Sequence, residues 1–171
     1  ILYVTHSQDE TSRLADHLML IEDGKIIGNG PINEMLTRFD LPLSHSGDAI
    51  SIFDARVMSR DTDFNLMHLE FKGGQFIVPD NKLPIESLVR IRVAARDVSI
   101  TKKKQTDTSI LNIFPAVVEE MVPEGDAQVM VRLTLKGVVL LACLTRKSAS
   151  SLKLDQGLSV FIQVKSVAIL S

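Results

Sequence analysis

Few side chains in this 171-residue sequence stand where they could do chemistry. His6 follows the apolar run Ile1-Leu2-Tyr3-Val4-Thr5, which reads as a buried strand, so its imidazole stands at a strand's carboxyl end. Cys143 is the single cysteine and closes the run Val138-Val139-Leu140-Leu141-Ala142, where it reads as a small buried hydrophobe. Lys102-Lys103-Lys104 is a local cation cluster that reads as a solvated loop, with attraction of anions as its functional alternative. No GxxxxGK[ST] occurs, so the loop that cradles phosphates with backbone N–H groups is missing. No spacing of His, Cys, Asp and Glu suggests a metal site.

The composition narrows the classes further. Nineteen basic and twenty-one acidic side chains give a net charge of -2, which provides no electrostatic footprint for nucleic acid. Any anion site must therefore be local. One cysteine excludes a disulfide scaffold and fits a reducing compartment. The apolar runs fall short of the roughly 20 residues that cross a bilayer, so a soluble chain is expected. It opens on an apolar run without an initiator Met, which leads to the expectation of a longer polypeptide.

The elements that must position these groups fall into two parts. Ser7 and Glu10 form a capping-box pattern ahead of Leu14, Ala15 and Leu18, which predicts a short amphipathic helix. The strands His17–Glu22 and Lys25–Gly28 flank Asp23-Gly24, a hairpin signal. Pro31 then opens a helix running through Ile32, Met35, Leu36 and Phe39. From Leu41 the pattern changes to short β-rich segments after a linker containing Pro42, Ser44, Ser46 and Gly47.

The second part repeats at a spacing of about 60 residues. Ile52–Val57 matches Ile113–Val118, Leu69–Gly73 matches Leu133–Gly137, and Ile91-Arg92-Val93 through Ile100 matches Ile162-Gln163-Val164 through Ile169. Each copy reads as five strands with a short helical segment before the last, clearest at Ser148 to Leu154. The expected fold is mainly β: tandem OB-like Greek-key barrels preceded by an α/β tail. The expected boundaries are 1–40 for the tail, 41–47 for the linker, 48–104 for the first barrel and 105–171 for the second. Barrels this small are expected to pack together.

Residues 4–36, VTHSQDETSRLADHLMLIEDGKIIGNGPINEML, resemble the stretch of an ABC transporter ATPase from the switch-histidine loop to the end of its nucleotide-binding domain. The resemblance implies that His6 is the switch histidine, a catalytic residue that contacts the γ-phosphate of ATP and helps position the attacking water. ATP and Mg would be bound by the parent protein. This chain carries no Walker A, signature or Walker B motif in the family's order, so it is not expected to hydrolyse ATP by itself. Lys72-Gly73-Gly74-Gln75 imitates the family's SGGQ signature but lies more than sixty residues beyond His6 and leads into Phe76-Ile77-Val78-Pro79, which reads as a β-turn.

Thr108-Ser109-Ile110-Leu111-Asn112, with Val164-Lys165-Ser166-Val167 at the close of the copy, resembles the small molybdate-binding barrel proteins. Tandem copies behind an ABC ATPase are characteristic of the ATP-binding subunit of bacterial molybdate importers. In those relatives the anion lies between barrels of different subunits, held by backbone N–H groups, hydroxyls and a lysine. The resemblance thus nominates Thr108, Ser109, Asn112, Lys165 and Ser166 as ligands of molybdate or tungstate. It also implies a homodimer through the barrel domain, permease partners in the membrane, and a peripheral place at the cytoplasmic face of the bacterial inner membrane. Two departures stand out: Leu111 replaces the relatives' usual arginine, and the first copy has Ala94 where the second has Lys165. Without a bound ion, Thr108 and Ser109 would satisfy backbone groups at a strand's start, and Lys165 would be a solvated edge charge. The alternatives are a stand-alone oxyanion-binding module, or the tail of a sugar, polyamine or other importer with a structural barrel domain.

Overall fold

Ser7 begins the first element as expected of a cap: its Oγ accepts a hydrogen bond from the Glu10 amide at 3.3 Å, opening α1 (Gln8–Leu14). The reciprocal half of the capping box does not form. In the computed structural model, which describes residues 1–45 and 48–170, the Ser7 amide donates to Thr5 Oγ1 at 3.0 Å. The Glu10 carboxylate instead accepts from the hydroxyls of Thr5 and Tyr3. Ser46 and Gly47 of the expected linker, and Ser171 of the second repeat, lie outside the described residues.

The strand expected over residues 1–5 is not formed, and Ile1, Leu2 and Val4 are exposed. A buried parallel strand takes its hydrogen bonds from neighbouring strands, and none runs beside this segment among the described residues. The hairpin does form. β1 (His17–Glu22) pairs antiparallel with β2 (Lys25–Pro31) around Asp23 and Gly24, which both have positive φ (49° and 74°), as the tight primed turn demands. Leu18, which fits both the helical spacing and the expected strand, belongs to β1. The next helix is shorter than expected: α2 spans only Ile32–Met35, because Thr37 Oγ1 captures the carbonyls of Asn33 and Glu34 and the chain turns. Pro31 caps that helix and does not enter its first turn. Leu41 and Ser44 of the expected linker are buried, and a 3₁₀ turn covers Pro42–Ser44.

Among the described residues, ten strands build the remainder. The first repeat supplies β3 (Ile50–Asp61), β4 (Leu66–Phe71), β5 (Gly74–Pro79), β6 (Leu88–Ala94) and β7 (Val98–Thr101). The second supplies β8 (Asn112–Glu124), β9 (Gln128–Leu135), β10 (Val138–Thr145), β11 (Ser159–Val164) and β12 (Ala168–Leu170), with α3 (Arg146–Leu152) between β10 and β11. Thr145 caps α3, its Oγ1 accepting from the Ser148 amide at 3.1 Å. The matching helix of the first repeat is absent: residues 80–87, which include Pro84, form a shorter irregular connection than residues 146–158.

The strands form two curled five-stranded antiparallel sheets, ordered β12-β6-β3-β4-β5 and β10-β9-β8-β11-β7, the arrangement of tandem OB-like barrels. The repeats exchange their closing strands: β7 pairs with β11, and β12 pairs with β6. The register is the same in both. Ser99 faces Gln163 as Ala168 faces Arg92, and Ile100 faces Ile162 as Ile169 faces Ile91. Each long first strand also breaks register at the matching place, after Val57 and after Val118. These coincidences carry the repeat into three dimensions.

One apolar cluster runs through both barrels. Phe53, Phe71 and Phe76 stack on one another, and Phe114 of the second repeat meets Phe71 and Phe76 edge-on, with centroids 5.4 and 4.9 Å apart. A Cβ on Gly74 would sit 3.1 Å from the Phe114 ring, and one on Gly73 would overlap Phe71. The glycines of Lys72-Gly73-Gly74-Gln75 thus serve a β4–β5 turn packed under aromatic rings, as the sequence context predicts.

Candidate functional site

His6 lies one residue before the cap of α1, exposed, and makes no hydrogen bond among the described residues. The ring is thus presented outward from the tail. The exposed faces of Leu14, Met19, Ile21 and Ile26 lie on the same tail.

The nominated anion ligands flank one end of the β8–β11 ladder. Val164 pairs with Asn112 at its last register position, so Lys165 and Ser166 leave the ladder where Ile110 and Leu111 enter it. Ser109, Leu111, Lys165 and Ser166 are exposed there. Thr108 Oγ1 accepts from the Ile110 amide at 3.2 Å, which shapes the entry to β8. The Lys165 amide donates to the Asp97 carbonyl at 2.9 Å, leaving its ammonium to solvent. Two exposed hydroxyls and one exposed ammonium at this rim are donors of the kind an oxyanion takes.

Asn112 has a second task that sequence reasoning missed. The residue is 8% exposed, and its Oδ1 accepts from the Ile77 amide at 2.7 Å while its Nδ2 donates to the Ile77 carbonyl at 3.0 Å. The amide thereby acts as a peptide group added to the free edge of β5, and only one of its N–H bonds remains available. The repeat alignment contained the signal: Ser51 occupies the same position in the first copy. Its Oγ accepts from the Leu141 amide at 2.9 Å, and Leu141 is the counterpart of Ile77 on edge strand β10.

The first copy's rim is closed. Ala49 and Ala95 are fully buried with Met130 and Leu141, and the Ala95 amide donates to the Ala49 carbonyl at 2.8 Å. Cys143 packs half-buried against the same cluster, and burial pushes its thiol up, as a packed hydrophobe requires. Lys102, Lys103 and Lys104 are exposed in the connection between β7 and β8. A cleft of about 350 Å³ lies elsewhere, at the junction of tail and barrels, where Arg90 and Lys72 face Asp16 and Asp54 and no single charge sign prevails.

Polar contacts that the sequence did not announce tie the tail to the barrels. His45 Nε2 meets the Phe39 carbonyl at 2.7 Å and Nδ1 meets Glu124 at 3.1 Å. The Phe39 carbonyl and then Glu124 raise the pKa of His45, because the imidazolium donates to both. Arg132 donates to the Thr37 carbonyl at 3.2 Å, and Arg90 and Arg92 reach α1. No helix among the described residues is long and apolar enough to cross a membrane.

Comparison with known proteins gives three results. Residues 108–170 match the TOBE domain. The chain is 46% identical over 170 residues to "Molybdenum import ATP-binding protein ModC" of Albidiferax ferrireducens, a match that covers 99% of this chain and 46% of that protein. The protein of the same name from Aromatoleum aromaticum is 42% identical, with 99% and 45% covered. The chain thus spans about half the length of these relatives. Among solved structures, the cytoplasmic molybdate-binding protein ModG, crystallised with molybdate bound, aligns with a TM-score of 0.61 at 20% identity over 70% of this chain and 94% of its own. That likeness establishes the fold.

Proposed function

Since residues 108–170 belong to the TOBE domain family and the whole chain is related to molybdenum import ATP-binding proteins, fitting their C-terminal part, we propose that it is the accessory, regulatory end of an ATPase subunit energising molybdate uptake. In this reading the tail contributes His6 to the γ-phosphate of ATP, with Mg and the phosphate-cradling loop supplied by the rest of the subunit. The barrels bind molybdate or tungstate through Thr108, Ser109, the spare amide N–H of Asn112, Lys165 and Ser166, at an interface with a second copy. Membrane permease subunits complete the importer, which places this subunit peripherally at the cytoplasmic face of the inner membrane.

The observation that carries the oxyanion reading is the open rim beyond the Val164–Asn112 pair, where Ser109, Lys165 and Ser166 are exposed. A desolvated dianion needs such a set of donors and positive charge. Calorimetric titration of the chain with molybdate, tungstate and sulfate tests it. Heat with molybdate and tungstate, abolished by Lys165→Ala, is the expected result, and no heat with any of the three contradicts it.

A second reading, a purely structural barrel domain on another importer's ATPase, draws support from Leu111 and from the commitment of the Asn112 amide to Ile77. It predicts no oxyanion binding and normal growth of a deletion strain under molybdenum limitation.

A further inference from the structure

We propose that Arg90 is a positioning residue for the segment that carries His6, a role that rests on the reading of His6 as the switch histidine. Arg90 stands on β6, in the first barrel, yet its side chain is spent largely on the tail. Nη1 donates to the Ala15 carbonyl at 2.6 Å and lies 3.5 Å from the Ser12 carbonyl, while Nη2 pairs with Asp16 at 2.7 Å. Nε reaches Asp54 on β3 at 3.5 Å, which steadies the guanidinium from the barrel side. The side chain is only 17% exposed.

The first two acceptors belong to the C-terminal turn of α1, whose last carbonyls have no partner within the helix. A cation there satisfies them and complements the negative end of the helix. Arg92 lies two residues further along, on the same face of the strand, and its Nη1 meets Asp9 in the first turn of the helix at 3.1 Å. Two residues of a strand span about 7 Å, and the seven residues of α1 rise about 10 Å. The two arginines therefore bracket the helix end to end. β6 itself is a firm platform, hydrogen-bonded to β3 on one side and to β12 on the other.

His6 precedes Gln8 by two residues, so the axis of α1 sets the direction in which its backbone arrives. Asp16 and Ala15 belong to the Leu14-Ala15-Asp16 element that the sequence shares with ABC ATPases, and here that element is where the barrel takes hold. Arg90 touches neither nucleotide nor His6; it acts through the helix. A residue acting this way changes turnover more than nucleotide affinity, because small displacements of a reacting group are costly.

The test uses the full-length ATPase subunit. Arg90→Ala is expected to lower kcat for ATP hydrolysis about tenfold while KM for ATP stays within about twofold, and Arg90→Lys to restore part of the loss. His6→Ala in parallel is expected to stop hydrolysis. If it does, and both Arg90 variants keep kcat within about twofold of the unaltered subunit, the positioning role is overturned. If His6→Ala leaves hydrolysis intact, the reading of His6 fails instead, and the role of Arg90 with it. Should Arg90→Ala fail to fold, Arg90→Lys is read by amide hydrogen exchange: faster exchange confined to Gln8–Leu14 supports the role, and unchanged or uniformly faster exchange contradicts it.

Discussion

The two seams between the barrels occupy equivalent places in the repeat and have been finished in opposite ways. At the first, Ser51 takes one hydrogen bond from Leu141, and alanines at 49 and 95 let the rim pack shut against Met130. At the second, Asn112 takes both polar groups of Ile77, and beyond it the rim remains open with Ser109, Leu111, Lys165 and Ser166 in solvent. Alanine at a closed rim loses no side-chain freedom on burial. A lysine left in solvent keeps its hydration. One strand scaffold thus supports a packed seam and a potential binding seam, and only a few side chains distinguish them.

Substitutions that exchange the properties of the two seams give the largest effects. Ala95→Lys places an unpaired charge in the closed rim and is expected to destabilise the chain by about 3–5 kcal/mol, whereas Ser166→Lys, its counterpart on the open rim, should stay within about 0.5 kcal/mol; denaturant midpoints measure both. Next is Asn112→Leu, which strands the amide and carbonyl of Ile77 and should cost about 2–3 kcal/mol in the same melts. Ser51→Ala leaves only the Leu141 amide unpaired, and about 1–2 kcal/mol is expected. A reversed order for Asn112 and Ser51 would show that the seams are not held as described.

The smallest effect concerns the junction of tail and barrels. Because the folded-state pKa of His45 is raised by the Phe39 carbonyl and Glu124, folding favours the imidazolium. Its contribution is full below about pH 6.5, the ordinary histidine value, and fades as pH rises through the higher folded value. Stability of the chain should therefore fall more steeply with rising pH across that window than stability of His45→Gln, as followed by melts at successive pH values. Equal slopes would contradict the account of His45.

Much of this architecture was legible in the sequence because it is local. The Asp23-Gly24 hairpin, the Ser7 cap, the turn at Lys72-Gly73 and the matched strands of the two copies each announce themselves within a few residues. The exchange of β7 and β12 did not, since Val98–Thr101 has the same apolar alternation whichever barrel receives it. Residues 1–5 misled for a similar reason: their β propensity is real, but a strand needs neighbours. At the candidate site, the resemblance drew attention to Asn112, yet its two hydrogen bonds with Ile77 depend on an edge strand 35 residues away in sequence. Arg90 carried no motif of its own, and its importance appears only once α1 is laid against β6.

The contrast between the seams is tested most directly by following backbone amide resonances of the chain during titration with molybdate. Shifts confined to Thr108–Asn112 and Lys165–Ser166, with Ala49 and Ala95 unmoved, are predicted. Shifts at neither seam, or equal shifts at both, would contradict the assignment of the open rim as the binding seam.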